Sequence, residues 1–283
     1  MTRMQLVVIG NGMAGMRTVE ELLQLAPDKY DITVIGREPH GNYNRIMLSP
    51  VLAGEKAFED IVIHPLSWYA ERGITLLAGH TVTGVDRVQR CVSTDQGVVV
   101  RYDRLLLATG SVPFMIPMPG HDHPDVISFR DIADVRRMLA PSATPPRVVV
   151  LGGGLLGLEA ANGLVKQGMA VTVVNDAAYL LNRQLDEEAS SLLRAALEAK
   201  GIVFKVSAVT SHISHNADTG KLNALHFKDG TELSCDLLVM AVGVRPNVAL
   251  ARSIGLQVDK AILVNDTMQT FDPRVYAVGE CVQ

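Results

Sequence analysis

The 283-residue sequence contains few cysteines and few aromatic residues: three Cys, one Trp and 5% aromatic residues in all. Cys91, Cys235 and Cys281 lie far apart and form none of the paired spacings that are typical of metal sites. We therefore expect reduced thiols and no metal site. A chain of this length buries about three quarters of its unfolded surface, so a core can form without disulfides.

The sequence also lacks an excess of charge of either sign, since 26 Lys and Arg face 30 Asp and Glu for a net charge of −4. That balance gives no electrostatic reason to expect a nucleic acid or an anionic membrane as partner. No apolar run approaches the roughly 20 residues of a membrane-spanning helix. The N-terminal residues MTRMQLVVIGNG enter a predicted strand without a signal peptide, so we expect a cytoplasmic protein.

One strand–glycine–helix pattern occurs twice. QLVVIGNGMAG at 5–15 and RVVVLGGGLLG at 147–157 have the same design, and their glycines are 142 positions apart. We call the first set, Gly10, Gly12 and Gly15, the first glycine loop. The second glycine loop consists of Gly152, Gly154 and Gly157.

A helix and a second strand are predicted behind each glycine loop. Apolar residues at helical spacing predict helices over 13–26, which Pro27 ends, and over 155–167, which Gly168 ends. The strands DITVI and AVTVV follow. The leading strands are continuous apolar runs, which is typical of a parallel sheet covered on both faces.

A second pair of similar segments sets the domain boundaries. YDRLLLATGSVP at 102–113 resembles CDLLVMAVGVRP at 235–246. We therefore predict an α/β fold with two doubly wound Rossmann-like domains, the second inserted into a discontinuous first. The predicted boundaries are 1–113 and 243–283 for the first domain and 114–242 for the second, with a loop at 141–146.

The glycine loops predict dinucleotide binding. The first glycine of such a loop makes the tight turn, the second lets the backbone approach a pyrophosphate, and the third lets helix pack on strand. The phosphates then lie at a helix N-terminus, where free N–H groups favour negative charge. A single loop of this kind is weak support, but two, each followed by its helix and strand, predict one dinucleotide per domain.

The residues that would bind the ribose differ from the usual pattern, in which an Asp or Glu follows the second strand. The first domain offers Arg37 and Glu38, and the second offers Asn175 and Asp176. Asn175 can hydrogen-bond a ribose hydroxyl but does not repel a 2′-phosphate as a carboxylate would. The choice between NADH and NADPH stays open.

The chain also resembles a known family. ATG at 108–110, AVGVRPN at 241–247 and YAVGE at 276–280 resemble the pyridine nucleotide-disulfide oxidoreductases, FAD proteins that take hydride from NAD(P)H. VVIGNGMAGMRTVEELL, EPHGNYNRIMLSPVLAGE, NRQLDEEASSLL and YAVGECV resemble the N-terminal flavin part of the assimilatory NAD(P)H-dependent nitrite reductases. In that family a sirohaem and 4Fe-4S portion follows, so we expect this sequence to be a fragment whose second FAD segment is incomplete.

The resemblance implies roles for particular residues. The FAD contacts are expected at the first glycine loop and its neighbours and at six further positions: Gly10, Gly12, Met13, Ala14, Gly15, Arg45, Val82, Thr109, Gly110, Gly279 and Glu280. Arg37 stands where many relatives have the acidic ribose ligand, so Glu38 is expected to take that role. The NAD(P) contacts are expected at Gly152, Gly154, Leu155, Leu156 and Gly157, with Gly243 beside the nicotinamide and Glu159 near the junction of the two cofactors.

The implied activity is an FAD-dependent NAD(P)H oxidoreductase module, which passes hydride to FAD and electrons on to a nitrite-reducing portion or a small electron-transfer protein. The cofactors carry the chemistry, so no catalytic side chain is predicted. One alternative is a stand-alone ferredoxin or rubredoxin reductase or an NADH oxidase, although Ser49-Pro50 replaces the Ser-Lys of related ferredoxin reductases. An alternative of another class is a flavin-binding, redox-sensing scaffold.

Overall fold

The structure, a computed structural model, describes residues 3–140 and 145–283. Its helices are α1 (Met13–Leu25), α2 (Leu48–Leu52), α3 (Leu66–Glu71), α4 (Ile132–Met138), α5 (Leu155–Lys166), α6 (Glu187–Glu198) and α7 (Ala249–Ser253). Short 3₁₀ helices occupy Arg45–Met47, Glu59–Ile61 and Gly279–Cys281.

The strands, in chain order, are β1 (Met4–Ile9), β2 (Tyr30–Gly36), β3 (Asn42–Tyr43), β4 (Val62–His64), β5 (Thr75–Ala78), β6 (Val82–Asp86), β7 (Cys91–Thr94), β8 (Val99–Arg101), β9 (Arg104–Leu107), β10 (Ser111–Pro113), β11 (Val126–Ser128), β12 (Arg147–Leu151), β13 (Ala170–Val174), β14 (Val203–Lys205), β15 (Thr210–His215), β16 (Leu222–Phe227), β17 (Glu232–Ser234), β18 (Leu237–Met240), β19 (Val244–Pro246) and β20 (Val275–Ala277).

The chain divides into two compact units. Unit 1 contains Met1–Asn44, Val62–Val112 and Arg245–Gln283, and unit 2 contains Arg45–Ile61 and Pro113–Val244. A unit built from discontinuous segments was expected for the first domain.

Unit 1 is built on a parallel sheet of order β20-β9-β1-β2-β5, so β1 lies at its centre. Successive residues of β1 face opposite sides of this sheet. Val7 and Ile9 pack in one apolar cluster and Leu6 and Val8 in another. Both faces of the strand are therefore buried, which explains its uninterrupted apolar sequence. An antiparallel sheet, β6-β7-β8, belongs to the same unit.

Unit 2 repeats this plan with the parallel order β11-β18-β12-β13-β14. Its central strand β12 precedes the second glycine loop just as β1 precedes the first. An antiparallel sheet of β15, β16 and β17 contributes Ile213, Leu225 and Phe227 to the cluster that includes Val149 and Leu151 of β12. The predicted fold class is confirmed by both sheets.

The segment 45–61 departs from the predicted boundaries, because it packs within unit 2 rather than with the rest of 1–113. Leu52 is fully buried and packs against α5 at Gly163. A Cβ added to Gly163 would lie only 2.9 Å from the Leu52 Cγ. Gln167 donates from Nε2 to the Leu52 carbonyl at 3.1 Å, and Lys166 forms an ion pair with Glu55. Because Gly163 has no side chain, Leu52 can approach the backbone of α5, which explains why the segment 45–61 packs in unit 2.

The two predicted glycine-loop helices are observed with ends one residue earlier, at Leu25 and Lys166. The predicted loop at 141–146 falls mostly outside the described residues. Among residues 3–140 and 145–283, no helix is both long and apolar enough to cross a membrane. The same ranges contain no group of three or more His, Cys, Asp or Glu side chains placed to hold a metal ion.

Candidate functional site

The first glycine of each loop makes a turn that other residues adopt only with strain. Gly10 has φ +114° and Gly152 has φ +123°. A Cβ on Gly10 would collide with the carbonyl oxygen of Ala108, and one on Gly152 with that of Ala241. Each of these glycines also donates its N–H, at 2.8 Å, to the neighbouring strand at Ile35 or Val174. The turn and the close approach together require glycine.

The other two glycines of each loop have opposite surroundings. A Cβ on Gly15 would lie 2.8 Å from the Ala108 Cβ, and one on Gly157 would overlap the Gly152 carbonyl oxygen. A Cβ on Gly12 or Gly154 would meet no atom within 4 Å. The third glycine therefore serves packing, whereas the second leaves the loop open on its outer side, as a bound pyrophosphate requires.

The helices that begin at these loops have uncapped N-termini. Gly12 and Gly154 are their N-cap residues, neither provides a side-chain cap, and neither helix has an acid in its first turn. In contrast, Asp131 caps α4 and Asp186 caps α6 through backbone N–H bonds. The free N–H groups of α1 and α5 thus suit an anionic ligand. Met13, Ala14, Leu155 and Leu156 all lie in these first turns.

Asn11 fixes the first glycine loop from within. Its Nδ2 donates to the His40 carbonyl at 3.2 Å, and its Oδ1 accepts from the Tyr69 hydroxyl at 2.6 Å. The Asn11 carbonyl accepts from Nδ2 of buried Asn42 at 3.0 Å. Burial raises the pKa of the Tyr69 hydroxyl, so it stays a donor to this loop.

The network behind the first loop continues into the core. Nδ1 of His64 faces Oδ1 of Asn42 at 3.2 Å, and Nε2 faces Glu20 on α1 at 2.9 Å. Trp68 lies over the His64 ring, with 4.1 Å between centroids. Nearer the end of β2, Glu38 accepts from the Tyr43 hydroxyl at 2.7 Å, so the predicted acidic ribose ligand is oriented by a neighbour. Arg37 is exposed.

The second glycine loop is fixed from outside, by Asn175 at the end of β13. Oδ1 of Asn175 accepts from Gly153 N–H at 3.1 Å, and Nδ2 donates to the carbonyls of Ala177 and Tyr179 at 3.3 and 3.1 Å. The side chain is buried, and its polar atoms are all engaged within the protein. Asn175, for which a ribose contact is predicted, is thus bonded to the protein backbone in this structure. The next residue, Asp176, is exposed.

Four of the other unit 1 predictions lie near the first glycine loop: Thr109, Gly110, Gly279 and Glu280. A Cβ on Gly279 would lie 2.7 Å from the Ala14 Cβ, so this turn approaches the start of α1. Glu280 accepts from the Ser111 hydroxyl at 2.8 Å. Thr109 donates from Oγ1 to the Asn247 carbonyl at 2.7 Å. Gly110, Gly279 and Glu280 are thereby held near the carboxyl ends of β9 and β20.

Val82 opens β6, on the antiparallel sheet of unit 1. Among the predicted unit 2 residues, Glu159 on α5 accepts from the Ser49 hydroxyl at 2.6 Å. Gly243 accepts at its carbonyl from Phe114 N–H at 2.9 Å. Arg45, which was expected in the first domain, lies in unit 2 and donates from Nη1 to the Arg130 carbonyl at 3.1 Å.

Two of the three cysteines, Cys235 and Cys281, are buried. Burial raises the pKa of the Cys235 thiol to about 12, which disfavours the reactive thiolate. Cys281 is fully buried, and its Sγ contacts the carbonyl oxygens of Leu107 and Val278 at 3.7 and 3.2 Å. These thiols act as small apolar groups.

Sequence reasoning did not identify several residues that bond to the first glycine loop or to predicted site residues: Asn11, Asn42, Tyr69, Ser49, Ser111 and Asn247. Asn11 could have been recognised, because it stands between two glycines of the motif. The others carry no local signal, since their partners lie far away in the sequence.

Three comparisons bear on identity. A family model described as pyridine nucleotide-disulphide oxidoreductase matches residues 4–283. The chain is 48% identical to the NAD(P)H nitrite reductase of Bacillus subtilis (strain 168), covering all of this chain and 35% of that protein. It is 46% identical to the assimilatory nitrate reductase electron transfer subunit of the same organism, again over the whole chain and 36% of that protein. The chain thus spans about a third of the length of these curated relatives.

A solved structure is similar throughout. In the crystal structure of the covalent putidaredoxin reductase–putidaredoxin complex, the matching chain has a TM-score of 0.89 and 31% sequence identity. The match covers 100% of this chain and 68% of the other.

Proposed function

The chain belongs to the pyridine nucleotide-disulphide oxidoreductase family, and from that premise we propose that it passes hydride from NAD(P)H held in unit 2 to FAD held in unit 1. Family membership confirms the oxidoreductase class and the FAD and NAD(P)H cofactor pair predicted from the sequence. The onward acceptor, a nitrite-reducing sirohaem and 4Fe-4S portion, is part of the proposal, as is a cytoplasmic location.

The observation that carries the proposal is the duplicated open loop. In both units the second glycine leaves free space and the following helix lacks a cap, so each cradle fits a diphosphate. The backbone N–H groups of the first turns, at Met13 and Ala14 and at Leu155 and Leu156, would hold it. No lysine is needed, because helix N-termini supply the positive potential.

When bound, FAD and NAD(P)H supply the hydride-transfer chemistry themselves. The chain's own residues orient the side chains that are expected to contact these cofactors. Tyr43 orients the Glu38 carboxylate for the FAD ribose. Ser111 fixes Glu280 beside the Gly279 turn, where the ribityl chain is expected. Ser49 orients Glu159 on α5. The residue after it, Pro50, stands where the related ferredoxin reductases have a Lys.

A second candidate function is a stand-alone reductase for a small iron–sulfur protein. The similarity to putidaredoxin reductase over this whole chain favours it. The higher identity to the two Bacillus subtilis proteins of nitrite and nitrate reduction favours the first candidate.

The test is anaerobic rapid mixing of the FAD-reconstituted chain with NADH or NADPH, followed at the flavin absorbance band. We expect bleaching within milliseconds and reoxidation by ferricyanide, but not by nitrite alone. Bleaching that takes many minutes would instead indicate a flavin-binding scaffold. Reduced putidaredoxin-type or rubredoxin-type acceptors formed at comparable rates would favour the second candidate.

A matched pair of variants tests whether Ser49 positions Glu159 for flavin reduction. Ser49→Ala removes the hydroxyl that orients Glu159, so we expect slower flavin reduction with unchanged FAD content. Ser253→Ala serves as control, because Ser253 only donates to the Leu250 carbonyl at the end of α7. Equal rates for both variants would contradict the positioning role of Ser49.

A further inference from the structure

Buried His64, the last residue of β4, has a hydrogen-bond acceptor at each of its ring nitrogens. Nε2 faces a carboxylate oxygen of Glu20 at 2.9 Å, and Nδ1 faces Oδ1 of Asn42 at 3.2 Å. The orientation of the Asn42 amide is fixed at its other end. There the Asn11 carbonyl, at 3.0 Å, can only accept a hydrogen bond and therefore requires the Nδ2 donor. Oδ1 of Asn42 is left to face the His64 ring as an acceptor.

A neutral imidazole ring does not satisfy both of these acceptors. It carries one N–H, so the lone pair of its other nitrogen would point at the lone pairs of Glu20 or of Asn42. The imidazolium has a donor on each nitrogen, one for each acceptor. The contacts of buried His64 thus match the charged form of the ring.

The charged group that faces His64 from α1 also favours the imidazolium. Glu20 pairs there with Arg17, one turn earlier, at 3.2 Å. Burial alone would raise the pKa of Glu20, but the bonds from His64 and Arg17 outweigh it and hold that pKa below its usual value. Glu20 is therefore a carboxylate, and a buried cation beside it is paired rather than isolated.

The side chains that face His64 from α3 are aromatic. The Trp68 ring lies 4.1 Å from the His64 ring, between centroids, and the Tyr69 ring lies 6.4 Å away at a steep angle. An aromatic face attracts a cation. Arg72, the residue after α3, lies over the Trp68 ring at 4.5 Å, but it is exposed, so solvent screens its charge. The remaining contact, Asn42 of β3, is neutral.

Asn42 connects His64 to the first glycine loop. The amide that accepts from His64 is the one that donates to the Asn11 carbonyl. The backbone N–H of Asn42 donates to the Tyr69 hydroxyl at 3.2 Å, and that hydroxyl donates to Oδ1 of Asn11 at 2.6 Å. Both oxygens of Asn11 are therefore held by groups that depend on the position of Asn42.

We propose that His64 is a positioning residue, protonated on both ring nitrogens, which in that form holds the first glycine loop in the shape that binds FAD. The Glu20 carboxylate retains the Nε2 proton, because a bond to an ionised acceptor is the stronger one. The proton lost as pH rises is therefore the one on Nδ1. The bare Nδ1 then opposes Oδ1 of Asn42, and the amide moves away from the Asn11 carbonyl. This inference rests on the proposed function, because it assumes that the first glycine loop holds FAD.

The test is titration of the FAD-free chain with FAD, followed by flavin fluorescence between about pH 5.5 and 8.5, where histidine ordinarily changes its charge. We expect FAD to bind the wild type about tenfold more weakly at the alkaline end of this range. Burial raises the pKa of the Tyr69 hydroxyl, so Tyr69 keeps its proton throughout and does not contribute to the profile.

Two variants separate the charge of His64 from its bulk. His64→Gln is neutral, so it should bind FAD weakly at every pH, with a flat profile. Glu20→Gln keeps an acceptor for Nε2 but removes the negative charge, so the weakening should begin at a lower pH than in the wild type. His215→Gln is the control, because His215 is exposed in unit 2 at the end of β15, and it should keep the wild-type profile. Thermal melting checks that each variant is folded.

Nitrogen-15 spectra of the histidine rings in the FAD-free chain give a second measurement. Both nitrogens of His64 should be protonated at the acidic end, and Nδ1 alone should lose its proton as pH rises. A wild type that binds no FAD at any pH overturns the proposed function, and these spectra still report the charge of His64. A neutral His64 ring throughout, an FAD affinity that does not change with pH, or a His64→Gln profile with the wild-type slope overturns the present inference alone.

Discussion

The two glycine loops share their backbone but differ in how they are held. In both, the first glycine turns with positive φ and donates to the next strand at 2.8 Å, and the third packs against the sheet. The first loop carries an amide side chain, Asn11, beside a glycine at the strand end, Gly36. The second reverses this, with Gly153 in the loop and Asn175 at the strand end.

In each unit, the space between the glycine loop and the end of the second strand has room for one side chain. A Cβ on Gly36 would lie 2.8 Å from the Asn11 Cβ, and a Cβ on Gly153 would lie 2.8 Å from the Asn175 Cγ. In each unit, one of the two positions must therefore be glycine, but either of them can be. The two amides also have different partners, because Asn11 bonds to the His40 carbonyl and the Tyr69 hydroxyl, whereas Asn175 bonds to backbone groups alone.

The largest effect is expected at the turn that both loops share. Gly10→Ala places a Cβ against the Ala108 carbonyl oxygen at φ +114°, and Gly152→Ala does the same at Ala241. We expect each to lower the free energy of unfolding by about 3 kcal/mol or more. Denaturant unfolding measures this. Gly97→Ala, which has a positive φ but no close neighbour, is the control and should cost about 1 kcal/mol. A similar cost for all three would contradict the close approach.

An intermediate effect is expected from the amides. Asn175→Ala leaves Gly153 N–H and two carbonyls without their partners, so we expect a loss of about 2 kcal/mol. Asn11→Ala should cost less, because the Tyr69 hydroxyl keeps its bond from Asn42 N–H at 3.2 Å. Chemical unfolding measures the loss of stability in each variant. A larger loss for Asn11→Ala than for Asn175→Ala would contradict these roles of the two amides.

A double-mutant cycle sharpens the same comparison. Gly36→Asn alone should destabilise unit 1, because its Cβ meets Asn11. In the Asn11→Gly background the same substitution should be tolerated, with a coupling energy of about 1 kcal/mol or more. Additive costs would show that the two positions do not share one space.

The smallest loss of stability is expected from the aspartates that bond to the start of the central strand in each unit. Asp236 accepts from Arg147 N–H at 2.8 Å and pairs with its guanidinium at 2.7 Å, whereas Asp103 accepts from Gln5 N–H at 2.9 Å. The bond from Arg147 holds the pKa of Asp236 below its usual value, so its contribution is present at neutral pH and is lost as pH falls through that lowered pKa.

Because this pair is about half exposed, Asp236→Asn should cost only about 1 kcal/mol at pH 7. The difference from wild type should shrink in acid, below about pH 4. Urea unfolding at several pH values measures it. A cost that is constant across that range would contradict the ion pair, and Asp103→Asn provides the comparison in unit 1.

The sequence predicts those parts of the molecule that are encoded by neighbouring residues. The apolar runs, the glycine spacing and the helical periodicity placed α1 and α5 to within one residue at their C-terminal ends. The role of Asn175 was not predictable, because its partners Ala177 and Tyr179 belong to an irregular loop without periodicity. The docking of 45–61 in unit 2 depends on the missing side chain of Gly163, which only tertiary packing reveals.

The most direct measurement is the stoichiometry of FAD and NAD⁺ binding in the wild type, Gly12→Ala and Gly154→Ala. Both glycines have ordinary φ and open space, so both variants should melt like the wild type. We predict one FAD and one NAD⁺ per wild-type chain, with only FAD lost in Gly12→Ala and only NAD⁺ lost in Gly154→Ala. If either variant retained both ligands, or one variant lost both, the assignment of one dinucleotide to each loop would be contradicted.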